Sequence, residues 1–110
     1  MTKATYLQRG EALDFINTTD ETIPAGVVIP FGKKLGVTGS DTPPGNLGSL
    51  HVMGVFEIAK TGTAAIEMGT PVFFDGTGIT DTSGADTTPA GYAAAYAAAD
   101  AETVLVQLNG

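Results

Sequence analysis

A chain of 110 residues has room for one domain with a buried core, and its lack of cysteine excludes disulfide staples and thiolate metal centres. Twelve acids against five bases give a formal net charge of -7, and Lys33-Lys34 is the one adjacent basic pair, so no basic stripe exists to neutralise phosphates and direct nucleic-acid binding is excluded. No apolar run reaches about 18 residues, and "MTKATYLQRGEALDF" carries charges where a leader would be apolar, so no membrane partner is expected and the product is expected in the cytoplasm.

Fifteen glycines and six prolines are spread along the whole chain, which predicts frequent turns between short strands and an all-β fold. "ATYLQRG" alternates, and "ALDFIN" alternates again after Gly10, with Leu13 and Phe15 on one face and Asp14 and Ile16 on the other. Residues 1–8 read either as an extended N-terminal arm or as part of a first strand. "VVIPF" places Val27, Ile29 and Phe31 together, and Pro30, which cannot donate to a ladder, predicts an edge strand or a bend. "GKKLGV" is a further short strand before the breaker-rich loop "TGSDTPPGNLGS".

"LHVMGVFEIAK" has the longest alternation, with Leu50, Val52, Phe56 and Ile58 on one face and His51, Met53, Val55 and Glu57 on the other. It predicts a single central strand. "PVFFD" puts Pro71 at the permitted first position of a strand, and "DGTG" predicts a tight hairpin into Ile79 and Thr80. "DTSGADTTPAG" reads as loop, and "TVLVQLNG" as a strand with Val104, Val106 and Leu108 inward. No internal repeat of solenoid length is visible. In "GYAAAYAAADAE", Tyr92 and Tyr96 lie four apart, a spacing that suits one face of a helix and one face of a strand alike. Alanine favours helix, but propensity is a weak prior and an isolated helix of this length is marginal.

Motifs for chemistry are thin. His51 is the only histidine, and no spacing supplies the orienting carboxylate and exposed nucleophile of a hydrolytic triad, so it reads as structural or interfacial. "DGTGITD" lacks the alternating acids and terminal glutamate of a calcium loop and reads as a plain hairpin turn. "GKK" lacks the first glycine and the hydroxyl residue of a phosphate-binding loop, and Lys33 and Lys34 read as blunting a strand edge. No catalytic residue, metal ligand or cofactor is assigned. Phe73 and Phe74 are adjacent and must point to opposite faces, so one of them fills a second core layer or meets a partner subunit.

The ordered segments "YLQRGEALDFIN", "IPAGVVIPFG", "GVFEIAK", "MGTPVFFDGTGIT" and "GYAAAYAAADAETVLVQLNG" resemble a family of small tailed-phage and prophage proteins taken to be capsid cement or head-decoration proteins. "GVFEIAK", "GTPVFFD" and "VLVQLNG" are the most specific parts. The resemblance implies a non-enzymatic virion protein, often trimeric, on the outer capsid surface with the major capsid protein and itself as partners. Another virion subunit and a small ligand-binding module are the alternatives. The family pattern also implies a strand from Gly91 to about Ala97 and a turn from Ala98 to Glu102. Read so, its small side chains would admit a neighbouring sheet, and Tyr92, Ala93, Ala95, Tyr96, Ala97 and Phe73 are the candidate subunit or capsid interface. The expected architecture is one all-β domain over residues 1–110, a small sandwich or barrel of short, mostly antiparallel strands with little helix.

Overall fold

The computed structural model describes residues 2–5 and 10–109, and among these there is no helix. Nine strands are formed: β1 (Ala12–Ile16), β2 (Val28–Phe31), β3 (Lys34–Thr38), β4 (Leu47–His51), β5 (Val55–Ala59), β6 (Pro71–Phe74), β7 (Ile79–Thr80), β8 (Thr88–Ala93) and β9 (Thr103–Leu108). They make two antiparallel sheets, one in the order β1-β4-β3-β2 and one in the order β5-β9-β8-β6-β7. Of the two expected architectures, the fold is therefore the sandwich. Residues 6–9, most of the predicted first strand, and Met1 lie outside the described residues; residues 2–5 are exposed and carry no regular structure.

Proline positions explain several boundaries. Pro30 sits in β2, at the edge of its sheet, and Pro71 opens β6, as expected. Pro89 lies inside β8, which is an internal strand and not the predicted loop. The missing donor is tolerated because the β6–β8 register shifts between Val72 and Phe73, a bulge that leaves Ala90 without an opposite residue.

Three further expectations are corrected. The single strand over 50–60 is two strands, β4 and β5, in different sheets, broken at residues 52–54, where Gly54 has φ of 115°. Lys33 lies in the two-residue turn joining β2 to β3, and Lys34 starts an internal strand, so the pair blunts no edge. In the alanine run the strand stops at Ala93, the chain bends at 94–95, Ala97 bridges to Ile66, and Ala101 N–H donates to the Ala98 carbonyl at 3.0 Å to close the turn. Pairing with β9 and burial of Ala93 and Ala97 override the helical propensity of alanine.

The sandwich is a tandem repeat that the sequence conceals. The first sheet (β1-β4-β3-β2) and the first four strands of the second (β5-β9-β8-β6) have the same order, and several of their connecting hydrogen bonds correspond. Gly26 N–H donates to Thr38 O and Thr38 N–H to Val27 O, at 2.8 and 3.0 Å; Gly69 N–H donates to Ala93 O and Ala93 N–H to Thr70 O, at 2.8 and 2.9 Å. The Ile23–Thr42 bridge matches the Ile66–Ala97 bridge, and Val52 N–H to Glu11 O matches Leu108 N–H to Gly54 O. β7 and the loop after it are the insertion that lengthens the second unit. Asn17 and Lys60 occupy one position and do one job with different chemistry. Asn17 Nδ2 donates to the Glu21 and Thr42 carbonyls, both at 2.8 Å, and Lys60 Nζ to the Gly62 and Ala99 carbonyls, at 2.7 and 3.1 Å.

The core lies between the sheets. Leu35 and Val37 of the first sheet meet Ile58, Val72, Ile79, Ala93, Val104, Val106 and Leu108 of the second, flanked by Val28, Phe56 and Phe74. Val104, Val106 and Leu108 face inward as predicted. Asn109 adds a polar clamp: its Nδ2 donates to the Leu35 and Val52 carbonyls at 2.9 and 2.7 Å, and its Oδ1 accepts from Leu35 N–H at 3.3 Å. The two units are stacked the same way up. Val28 and Val37 face the core, whereas their counterparts Pro71 and Tyr92 face outward.

Candidate interaction surface

The outer face of the five-stranded sheet sets several apolar side chains around two polar ones, Gln107 and Glu57. Strand pairing sets Val55, Gln107, Tyr92 and Pro71 in one row across β5, β9, β8 and β6, with Glu57 and Leu105 in the next row. Val55 is 54% exposed and Tyr92 39%, and Leu105 is exposed beside them. Phe73, paired with Pro89, extends the face as a half-buried ring, while Phe74 turns inward onto the core. Of the adjacent pair, Phe74 is therefore the ring on the core and Phe73 the ring on the outer face.

Tyr96 (64% exposed) and Met68 (72% exposed) lie beyond this face, in the segments enclosed by the Ile66–Ala97 bridge and the Gly69–Ala93 hydrogen bond. Ala95 is half-buried in the bend between them. Ala93 and Ala97 are buried in the chain's own core, so their side chains have no free surface for a partner. Strand alternation decides this: with Tyr92 outward, Ala93 opposite Val106 must point in. Val55 and Leu105 also belong to this surface, beyond the residues that the sequence singled out. Their signal was present, since Val55 shares alternation with Glu57, and Leu105 falls between the inward Val104 and Val106.

On the opposite side of the core an open cleft of about 650 Å³ separates the sheets, walled by Val28, Val37, Phe56, Ile58 and Phe74. His51 stands at its edge with its ring 6.4 Å from that of Phe56 and inclined by 43°. Among the described residues its side chain makes no hydrogen bond, and no group of three histidine or acidic side chains is placed to hold a metal ion.

The carboxylate of "DGTGITD" works within its own turn. Asp75 Oδ1 accepts from Thr77 and Gly78 N–H, both at 2.9 Å, and Oδ2 accepts from Thr61 Oγ1 at 2.7 Å. The Thr61 hydroxyl first, and then the two amides, hold its carboxyl below the usual carboxylate range. A depressed pKa contributes stability that is present above the unfolded value of about 4 and is lost as pH falls through the folded one. Asp75→Asn is therefore expected to lower the thermal midpoint at pH 7, with the gap to wild type closing as acid protonates the folded carboxylate, below the usual carboxylate range. A gap of the same size at pH 7 and in such acid, read by circular dichroism, would show that the charge is not what holds the turn.

Neither the comparison with curated proteins nor that with solved structures finds a match. A protein-family model described as phage cement protein matches residues 7–108 and so takes in both sheets and the exposed apolar face. With nearly its whole length matched, the chain belongs to the phage cement protein family.

Proposed function

We propose that the protein decorates an assembled phage head, binding the outer surface of the major capsid protein lattice as a trimer and stabilising the shell without catalysis or a cofactor. The observation that carries this is its membership of the cement family across residues 7–108. The whole chain acts as one domain in this role, made in the host cytoplasm and carried on the virion exterior.

The physical form suits the task. A ligand that binds the assembled lattice and not the free subunit stabilises the shell by mass action. A rigid sandwich with a preformed apolar face loses little conformational entropy on docking. Three linked copies bind jointly, so weak single contacts give a firm attachment. Tyr92, Tyr96, Phe73 and Ala95 supply subunit or capsid contacts in this reading. The net charge of -7 keeps the free protein soluble and favours basic patches on the shell, so binding is expected to weaken with salt.

Co-sedimentation tests it. The protein should pellet with intact heads of the phage that encodes it, saturably, and stay in the supernatant with unassembled capsid subunits. Equal recovery with both, or with neither, would sink the reading.

A further inference from the structure

The same-way-up stacking of the two units leaves one used face and one free face on each. In the second unit, Phe56, Ile58, Val72, Phe74 and Val106 line the face that receives the first unit. Their counterparts in the first unit are Leu13, Phe15, Ile29, Phe31 and Leu50, read from the matching registers and hydrogen bonds. All five are apolar, and they lie on the outer side of the four-stranded sheet, away from the core. Leu13 is 37% exposed there, Phe15, Ile29 and Phe31 are half-buried, and Leu50 is buried beneath them. Leu50 lies flat across Gly36, whose missing Cβ leaves room for it, and Phe15 lies over Gly48 in the same way. At the other end of the stack, Pro71 and Tyr92 are exposed where Val37 of the first unit is buried and Val28 half-buried.

We propose that a second copy of this chain docks its outer five-stranded face onto the outer four-stranded face of the first, repeating between chains the contact that joins the two sheets within one. The occupant is a second copy because both halves of that contact are present on every chain, at opposite ends, and the faces equivalent to them in the repeat already pack together inside it. A contact between two different patches is head-to-tail, and it closes into a ring when its rotation divides a full turn. The inference deepens the oligomeric reading above and rests on it: three copies form a ring of six stacked sheets around one axis.

Two substitutions on opposite faces test it in the full chain. Leu13→Glu and Tyr92→Glu are each expected to convert the wild-type oligomer to monomer in sedimentation velocity. Mixed in equal amounts, the two are expected to form a one-to-one dimer and to stop there, because the pair retains only one intact contact. Ile29→Lys and Val55→Lys repeat the design, and thermal melts of all four separate loss of assembly from loss of fold. A wild type that is monomeric at every concentration, folded variants that remain oligomeric, or a mixture that stays monomeric would overturn the contact. So would oligomers that disappear when residues 1–9 are removed with both faces intact, since the N-terminal segment would then be the occupant. Wild-type rings that ignore heads would contradict the cement reading and leave this contact standing; rings insensitive to both substitutions would do the reverse.

Discussion

Gly91→Ala is expected to destabilise the fold by about 4 kcal/mol, combining left-handed backbone strain with overpacking. That is a large share of the stability of a domain this size. Gly91 has φ of 135°, a conformation that L side chains rarely adopt, and a Cβ there would collide with the Gln107 carbonyl and approach Asn109 N to 2.9 Å. Both obstacles are backbone, so no rotamer change relieves them. The position follows the β6–β8 bulge and pairs with Leu108, where β8 must run close against β9. Its counterpart Gly36 has ordinary φ and meets only the Leu50 side chain, so Gly36→Ala should cost less. Urea denaturation checks this, and equal midpoints for Gly91→Ala and wild type would contradict it.

Leu35→Ala is expected to cost about 3 kcal/mol, the usual range for emptying a buried leucine site. Leu35 is fully buried and is the first sheet's deepest insertion into the second, with its backbone held on both sides by Asn109. Because one core serves both sheets, the loss should appear as a single cooperative transition at lower denaturant. Two separated transitions would mean that the sheets are stable independently. Val55→Ala, on the exposed outer face, is the control and should change stability little.

Much of this architecture was legible because side-chain alternation and proline placement are local. Val104, Val106 and Leu108, Pro71 at a strand start, Pro30 on an edge strand and the Asp75–Gly78 turn all follow from residues within a few positions of each other. What was hidden depends on distant parts of the chain. The break at Gly54 escaped notice because Leu50, Val52, Phe56 and Ile58 keep even spacing across it, so the period continues while the chain changes sheet. Pro89 suggested a loop because only the β6 partner strand reveals the bulge that accommodates it. The tandem repeat left faint traces: Ile23, Thr42 and Ile66 are each followed three residues later by a turn glycine with positive φ, at Gly26, Gly45 and Gly69, whereas Ala97 is followed by Asp100. Substitutions such as Asn17 for Lys60 and Val37 for Tyr92 erased the rest, since one unit's buried face is the other's exposed one.

The candidate surface was half legible for the same reason. Tyr92 and Tyr96 are exposed as an interface requires, but their alanine neighbours divide between surface and core according to which way the strand faces, and the buried Ala93 and Ala97 serve the chain's own packing.

Stabilisation of an assembled shell is read from its resistance to heat. Heads assembled without the protein should release their DNA at a lower temperature than decorated ones. Purified protein added back should raise that temperature saturably, by an amount set by its free concentration relative to its dissociation constant. Heads that bind the protein to saturation yet open at an unchanged temperature would mean that it decorates the shell without stabilising it.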